Sequence, residues 1–303
     1  MNKKNLFNVC LLTLGALIWG SAFIFQDLGM NYVEPFTFNV FRCLFCTLFL
    51  IFVSLIIQLI NKKQKNISKN NYQKKDLIKG SLVAGLFTAL AMSTQQIGIL
   101  LEGAGRSGFI TSLYIVFVPL IGFIFGKKVS PFVLIAVVFS LTGLYLININ
   151  GGEFKFTIGS LFLLGCAIFY ALQIISIDKY TNKCDSINLT AGQFLVSGLI
   201  QIPFMFILET PTISNIISGL LPILYCGIMS SGIGFTIQIY TQKHLDPTVA
   251  SVIMSLESVF SIIFASIFLK ETYSFFEILG CITIFISVIL TQIPYPMKRK
   301  TDV

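Results

Sequence analysis

The chain has 303 residues, of which 55% are hydrophobic and only 11% are charged, and its mean hydropathy is +0.86. Soluble domains carry about 25% charged residues, so there is too little polar material to cover a globule of this size, and a soluble enzyme or binding domain is excluded. The net charge of +8 would suit a nucleic-acid partner, but its distribution among the loops accounts for it, and we expect no nucleic-acid binding.

Ten continuous apolar runs follow one another along the chain. At about 1.5 Å per residue, a hydrocarbon core of about 30 Å needs some 20 residues of helix. We therefore predict an all-α integral membrane protein with ten transmembrane helices. The predicted spans are Phe7–Phe25, Phe36–Ile60, Leu77–Leu100, Gly105–Phe125, Pro131–Ile149, Ile158–Ile177, Ile187–Leu208, Ile216–Tyr240, Thr248–Leu269 and Phe275–Ile293.

Prolines mark the starts of some spans and the interiors of others. Pro35, Pro131 and Pro247 are predicted to occupy the first turn of their helices, where a missing N–H costs little. Pro119 and Pro222 lie within the fourth and eighth spans and are predicted to bend or break them.

The basic residues are concentrated in alternate loops. With the amino terminus placed in the cytoplasm, 17 of the 21 lysines and arginines fall on the cytoplasmic side, three fall outside, and Arg42 lies within a span. Loops rich in lysine and arginine stay in the cytoplasm. We therefore predict a multi-pass protein of the cell membrane with both termini cytoplasmic. The abundance of lysine, asparagine and isoleucine points to a bacterial source.

A weak internal repeat divides the chain into two halves. Shifting the chain by 143 residues aligns residues 95–146 with residues 238–289. The polar identities in this alignment are Gln95 with Gln238, Ser112 with Ser255, and Lys127 with Lys270. Because five spans per half is an odd number, the two halves must be inserted in opposite orientations. We predict two inverted five-helix repeats, residues 1–150 and 151–303, an arrangement that suits alternating access around a central site.

Short motifs in this sequence are similar to those of a known family. They are Trp19-Gly20 in the first span, Glu34-Pro35 at the entry to the second, Arg42, and Ser255-Leu256-Glu257 followed by Lys270-Glu271. Together with the hydropathy and the repeat, they resemble the drug/metabolite transporter superfamily, EamA type, over the whole chain. Many relatives carry a proline after the glutamate, whereas this chain has Ser258.

The resemblance implies an architecture and a function. The family has ten helices in two inverted five-helix repeats. Its central cavity is lined by spans one to four and six to nine, with spans five and ten at the periphery. Its members export amino acids, other metabolites or toxic compounds.

Arg42 is the sharpest single candidate for a functional residue. It lies about seven residues past Pro35, hence roughly 10 Å from the outer end of its helix, where a charge costs at least a few kcal/mol unless it is paired or solvated. The chain has 18 lysines but three arginines, so an arginine here indicates use of its bidentate geometry, for a substrate carboxylate or a protein acid. Snorkelling to the surface and an internal ion pair are the structural alternatives. Asn39 and Cys46 share its helix face, which is predicted to point inward.

Glu257 is predicted to lie near the centre of the bilayer, about ten residues past Pro247. Removal from water disfavours the charged form of a carboxyl group, so Glu257 is a candidate for proton coupling and equally for binding a cationic substrate group. A hydrogen-bonded structural carboxyl between packed helices is the alternative. Glu34, Glu102 and Glu209, at the outer ends of spans, are expected to be solvated.

Other polar and aromatic residues at membrane depth are further candidates. Gln95 and Gln238 occupy equivalent repeat positions, Tyr114 continues a polar stripe on the fourth span, and the single tryptophan, Trp19, lies deep in the first. Packing between helices explains such residues as readily as substrate contact does. The candidate substrate-binding residues are Trp19, Asn39, Arg42, Gln95, Tyr114, Gln238 and Glu257.

The sequence predicts a secondary transporter, an exporter of small metabolites such as amino acids or amphipathic compounds. We expect no metal or cofactor, because the single His244 and the cysteines lack partners at metal-ligand spacing, and the chain has no phosphate-binding G-x-x-x-x-G-K-[S/T] motif. The alternatives are a non-transporting helix bundle, such as a receptor or an assembly factor, and an integral membrane transferase. The expected partners are a small-molecule substrate and the lipid bilayer, and a homodimer is left open.

Overall fold

The computed structural model describes residues 3–63, 73–126, 129–148, 157–269, 274–291 and 293. Within these residues all regular secondary structure is helical. Eight helical segments there are long and apolar enough to cross a membrane, namely Asn5–Gly29, Pro35–Lys62, Lys74–Glu102, Ser107–Ile124, Ile158–Asp178, Ser186–Leu208, Leu220–Thr241 and Pro247–Phe264. Two shorter apolar helices, Pro131–Leu146 and Ile278–Thr291, accompany them.

The helices are numbered in chain order. Up to residue 148 they are α1 (Lys3–Gly29), α2 (Pro35–Lys63), α3 (Lys74–Glu102), α4 (Ala104–Thr111), α5 (Tyr114–Ile124) and α6 (Pro131–Asn148). From residue 158 onward they are α7 (Ile158–Asp178), α8 (Ser186–Leu208), α9 (Ile213–Ser218), α10 (Leu220–Tyr225), the π-helix π1 (Cys226–Gly234), α11 (Phe235–Thr241), α12 (Pro247–Met254), α13 (Leu256–Leu269) and α14 (Phe275–Thr291).

Local chemistry sets several of the helix entries. As predicted, α2, α6 and α12 begin at Pro35, Pro131 and Pro247, because a proline in the first turn gives up an N–H that the helix does not use. Asp246 caps α12, its carboxylate accepting a hydrogen bond of 2.8 Å from the backbone N–H of Thr248.

Three of the predicted spans are not continuous α-helices. A turn at Ser112 separates α4 from α5, a turn at Ser255 separates α12 from α13, and the eighth span runs through α10, π1 and α11. Both serines donate their hydroxyl to a carbonyl of the preceding turn, at 2.8 Å in each case, and such local bonds bend helices. The prolines do not make the breaks. Pro119 lies inside α5, and Pro222 lies in the first turn of α10, where it is tolerated.

The helices form a central group and a peripheral pair. In the central group, α1 packs on α13 and π1, α2 packs on α8 and π1, and α3 packs on α7 and α8. The pair consists of α6 and α14, which pack chiefly on each other. The hydroxyls of Ser140 and Ser287 are hydrogen-bonded between them at 2.5 Å. A Cβ on Gly143 would lie 2.7 Å from the carbonyl oxygen of Gly280, so the absence of a side chain brings these two helices together.

Several residues on which the predictions depend lie outside the described residues. They include the repeat pair Lys127 and Lys270 and much of the basic charge that orients the chain. The charged residues outside the described ranges that these predictions used are Lys65, Lys69, Lys127, Lys128, Lys155, Lys270, Glu271, Lys298, Arg299 and Lys300.

Candidate functional site

The central helices line a cavity that is partly open to solvent, and its empty volume, including the open part, is about 460 Å³. The lining residues come from α1, α2 and α3, from both parts of the broken fourth span, and from α7, π1, α11 and the broken ninth span. They are Trp19, Ala22, Phe23, Gln26, Arg42, Gln95, Thr111, Tyr114, Tyr170, Gln173, Ile174, Ser230, Phe235, Gln238, Met254 and Glu257.

Six of the seven residues predicted from the sequence line this cavity, and Asn39 is the exception. Asn39 is fully buried, and its side-chain amide donates a hydrogen bond of 3.0 Å to the backbone carbonyl of Met92. It therefore ties α2 to α3. The predicted inward face of α2 is confirmed, since Asn39, Arg42 and Cys46 are all buried.

Arg42 is held by three neutral oxygens. Its Nε donates to the hydroxyl of Ser231 at 2.7 Å, Nη1 donates to the side-chain oxygen of Gln26 at 2.8 Å, and Nη2 donates to the hydroxyl of Ser230 at 3.0 Å. The side chain is 2% exposed, so it does not snorkel to a surface. Among the described residues no carboxylate bonds to it, and the internal ion pair considered from the sequence is not found there.

The π-helix π1 places both of these serines against one guanidinium. Gly227 lets π1 approach α2, because a Cβ at this position would lie 3.0 Å from the backbone oxygen of Arg42. The backbone carbonyl of Ser230 also accepts a hydrogen bond of 3.3 Å from the indole N–H of Trp19. One irregular segment thus orients the arginine and the tryptophan together, which is consistent with the frequent occurrence of π-helical turns at functional sites.

An aromatic cluster forms another part of the wall. The rings of Trp19 and Phe235 pack edge to face with centroids 5.4 Å apart, and Phe235 also contacts Tyr170 at 6.3 Å and Phe194 at 5.0 Å. Gly234 makes room for the indole, since a Cβ there would lie 2.8 Å from its nitrogen. Edge-to-face packing of this kind favours rigid, preformed apolar surfaces.

Glu257 is held at the turn that divides the ninth span. Its Oε1 accepts a hydrogen bond from the hydroxyl of Tyr114 at 3.0 Å. It also accepts a longer one, at 3.3 Å, from the hydroxyl of Ser112, whose single proton is shared with the carbonyl of Gly108. The break at Ser255 puts Glu257 in the first turn of α13, where free backbone N–H groups favour acceptors. The side chain is 6% exposed. Ser258, which stands where many relatives have proline, shares a 2.7 Å hydrogen bond with Ser112.

Gly20 brings α1 into backbone contact with α13 beside Glu257. A Cβ on Gly20 would lie 2.6 Å from the Cβ of Phe260, 2.7 Å from the carbonyl oxygen of Glu257 and 2.8 Å from the nitrogen of Ser261. No side chain fits at this point. The close approach positions Trp19 and Glu257 on the same cavity.

Three pairs of lining residues are separated by the same 143 positions as the repeat. One pair, Tyr114 and Glu257, is joined by the hydrogen bond described above. The pairs are Gln95 with Gln238, Thr111 with Met254, and Tyr114 with Glu257.

Glutamine amides link the cavity to the helices behind it. Gln238 donates to the side-chain oxygens of Gln173, at 3.2 Å, and Gln242, at 3.1 Å. Gln173 donates in turn to Gln193 at 3.3 Å. Gln238 therefore lines the cavity and also joins α11 to α7. On the other side, Gln95 accepts from the hydroxyl of Tyr170 at 3.3 Å.

Some cavity residues were missed by the sequence interpretation. Gln26 falls just beyond the predicted end of the first span at Phe25, although α1 extends to Gly29. Its spacing of seven residues from Trp19, which places the two on one helix face, is a signal that identifies it. Gln173 carries no comparable signal, because a glutamine in an apolar run also serves as a link between helices.

The expectation that Glu209 is solvated is wrong. Its carboxylate is 8% exposed and accepts hydrogen bonds of 2.6 Å from the backbone N–H groups of Phe36 and Thr37 and from the hydroxyl of Thr37. It lies just past the end of α8 and caps the N-terminus of α2, where backbone donors are free. Sequence distance hides this contact, since the two segments lie some 170 residues apart along the chain.

Comparison with known proteins gives a consistent result. The chain matches the model of the EamA-like transporter family twice, over residues 6–149 and 157–293. Two proteins of Archaeoglobus fulgidus, each described as an uncharacterized transporter, are similar to it. One is 27% identical over 296 residues, covering 96% of this chain and 87% of the relative, and the other is 26% identical over 287 residues, covering 93% and 96%. A solved crystal structure superposes with a TM-score of 0.75 at 16% identity, covering 94% of this chain and 96% of the other, which shows a shared fold.

Proposed function

The chain belongs to the EamA-like transporter family, and from this premise we propose that it is a secondary transporter that exports small metabolites, such as amino acids or amphipathic compounds, by alternating access. The family and the relatives indicate a transporter rather than an enzyme. The protein uses no ATP of its own, in line with the lack of a phosphate-binding motif in the sequence.

The observation that carries this proposal is a cavity among the central helices whose wall includes both an arginine and a glutamate. Arg42 and Glu257 both line it, at 2% and 6% exposure. Charged groups at membrane depth are expensive and mark substrate or ion pathways. A bundle with only a structural role has no need of either group in the wall of a central cavity.

Alternating access requires two bundles that rock around the site, and we propose the two inverted repeats in this role. The paired lining positions 143 residues apart support this arrangement, as does the occurrence of helix breaks at Ser112 and Ser255, which are equivalent under the same shift. In this proposal α6 and α14 are the fifth and tenth spans, and both termini lie in the cytoplasm.

Glu257 is the proposed proton-coupling group. A carboxyl group can take up and release a proton as the cavity changes its exposure, whereas the guanidinium of Arg42 keeps its charge. The hydroxyls of Tyr114 and Ser112 hold one carboxyl oxygen in place while this happens. Trp19, Gln95 and the other lining residues contact the substrate, whereas Asn39 supports the packing of α2 on α3.

Transport into proteoliposomes of purified protein tests the proposal. We expect uptake of labelled amino acids or other small metabolites, driven by a pH gradient across the vesicle membrane and absent from vesicles without protein. Both termini should be protected from a membrane-impermeant label in intact cells and should become accessible to it in inside-out vesicles. Failure of every compound in a broad metabolite panel to move would favour a non-transporting bundle, and chemical conversion of a compound without flux would favour a membrane transferase.

A further inference from the structure

The guanidinium of Arg42 keeps unused hydrogen-bond donors. An arginine side chain has five N–H groups. Three of them go to Ser231, Gln26 and Ser230. Since Nη1 and Nη2 carry two N–H groups each, one remains on each of these nitrogens. The two terminal nitrogens of a guanidinium can together donate to the two oxygens of a carboxylate.

The charge of Arg42 is also unpaired within the described part of the chain. All three of its partners are neutral oxygens. They orient the guanidinium but do not neutralise its positive charge. Removing a cation from water without a counter-charge is costly. A substrate that supplies a negative group at this point removes that cost when it binds.

The arginine is held in place before any ligand arrives. Ser231 bonds to Nε and Ser230 to Nη2, and both belong to π1. Gln26 approaches Nη1 from α1. With α2 supplying the arginine itself, three elements fix the plane of the guanidinium. Such preorganisation lowers the entropy cost of binding.

The rest of the cavity favours an apolar group attached to the anion. Trp19 and Phe235 form an edge-to-face pair in its wall, and Phe23, Tyr170 and Met254 also line it. From this arrangement we infer that Arg42 is a carboxylate-binding subsite, oriented by Ser230, Ser231 and Gln26, and that the substrates are organic carboxylates with an aromatic or aliphatic body. Neutral and cationic compounds with the same body are expected to bind to this site more weakly than the carboxylate. That these carboxylates are transported substrates rests on the proposed function, whereas their binding at Arg42 does not depend on it.

Three ligands with one shared body test the inference, namely phenylpropionate, its primary amide and phenylpropylamine. Their affinities are measured by thermal shift and calorimetry on the purified full chain in lipid nanodiscs, so that no transport is needed. We expect phenylpropionate to bind at least about tenfold more tightly than the amide. The reason is that a charge-assisted bidentate contact is stronger than a hydrogen bond between neutral groups. The amine is expected to bind weakest.

Variants of Arg42 and Ser231 locate the source of the preference. Arg42→Gln should reduce the carboxylate-to-amide affinity ratio to near unity, and Arg42→Lys should restore only part of it, since a lysine offers no planar fork. Ser231 does not line the cavity, so it acts through Arg42. Ser231→Ala should lower the ratio severalfold and leave the amide affinity unchanged. The matched controls are Lys79→Gln, which removes an exposed charge, and Ser287→Ala, which removes a buried hydroxyl between α6 and α14.

The outcomes separate this inference from the proposed function. Equal affinity for the three ligands in the wild-type protein, or a ratio that survives in Arg42→Gln, overturns the carboxylate subsite even if vesicles transport a metabolite. A carboxylate preference that Arg42→Gln removes supports the subsite even if no flux is observed, in which case the transporter proposal fails instead. Loss of affinity for all three ligands in Ser231→Ala, with Ser287→Ala unaffected, overturns the positioning role of Ser231.

Discussion

The two ionisable residues of the cavity are held by opposite halves of the chain. Arg42, from the first half, is bonded to two consecutive serines of π1 in the second half, in addition to Gln26 from its own half. Glu257, from the second half, is bonded to Ser112 and Tyr114 in the first half. Each group is therefore oriented across the boundary at which alternating access would move the two halves.

The two charged residues of the cavity wall, Arg42 and Glu257, differ in what they can do. Three hydrogen bonds fix the plane of Arg42, and a guanidinium is a permanent cation. Glu257 is fixed through one carboxyl oxygen, with Oε1 accepting both of its hydrogen bonds, and a carboxyl group can change its charge. The comparison teaches that a permanent charge suits recognition, whereas a titratable group suits coupling to a proton gradient.

The largest expected effect comes from closing the contact beside Glu257. Gly20→Ala puts a Cβ 2.7 Å from the carbonyl oxygen of Glu257, so α1 and α13 must move apart. Overpacking of this kind costs about 1–3 kcal/mol. We expect a lower melting temperature in nanodiscs and flux reduced to background.

Gly105→Ala is the matched control for this change, because a Cβ on Gly105 meets nothing within 4 Å. It should leave flux and melting temperature unchanged. If Gly20→Ala behaves in the same way, neither stability nor flux requires the close contact between the α1 and α13 backbones beside Glu257.

The next effect separates coupling from recognition. Glu257→Gln still accepts hydrogen bonds from Tyr114 and Ser112 but cannot exchange a proton. With one proton per substrate, a gradient of one pH unit supports about tenfold accumulation, since one unit corresponds to 1.36 kcal/mol. We expect Glu257→Gln vesicles to equilibrate substrate without accumulating it.

Glu209→Gln is the control for the same substitution outside the cavity. It weakens the cap on α2 and should lower the melting temperature without abolishing accumulation. Accumulation by Glu257→Gln at the wild-type level would show that Glu257 does not couple transport to protons, and the division of roles between Arg42 and Glu257 would fail.

A smaller effect is expected from the phenol that orients Glu257. Tyr114→Phe removes a 3.0 Å hydrogen bond, and a bond to a charged or ionisable group contributes about 1.5–3 kcal/mol. We expect reduced stability and slower flux, with the preference for carboxylates over amides retained. Tyr145→Phe removes an exposed hydroxyl and should change neither quantity. A lost carboxylate preference in Tyr114→Phe would contradict the division of roles between Arg42 and Glu257.

The smallest effect on binding is expected for Asn39→Ala. Asn39 is one turn from Arg42 on the same helix face, yet it bonds to the backbone of Met92 and does not line the cavity. The variant should lose about 0.5–1.5 kcal/mol of stability and keep wild-type affinity for phenylpropionate. A loss of affinity of tenfold or more would show that the binding site around Arg42 extends further along α2 than the lining residues indicate.

Hydropathy was sufficient to find the helices and the two buried charges. The long apolar runs predicted the eight spanning helices and the apolar helices α6 and α14, because an apolar run longer than the membrane core has few other stable forms. Arg42 and Glu257 were identified because a charge within such a run carries a cost that requires an explanation. The fourth and eighth spans are interrupted as predicted, but at Ser112 and through π1 rather than at Pro119 and Pro222, and the interruption of the ninth span at Ser255 was not predicted.

The partners of these two groups could not be predicted from the order of residues. Ser231 lies 189 positions from Arg42, and Tyr114 lies 143 positions from Glu257, and nothing in a local pattern pairs them. The cap that Glu209 places on α2 is of the same kind. Such contacts depend on which helices pack together and at what depth, and this is decided by small residues such as Gly20, Gly227 and Gly234 that let the backbones approach.

The sequence by itself determined that the chain is a helical membrane protein, where its apolar runs lie, and which two ionisable residues are buried in them. These properties follow from the local cost of placing backbone and charge in hydrocarbon. Only the tertiary structure decided that Arg42 and Glu257 share one cavity, that π1 fixes the arginine, and that Asn39 lies outside the cavity wall. These are outcomes of packing between distant helices, which depends on the shape of whole surfaces rather than on the pattern of any one segment.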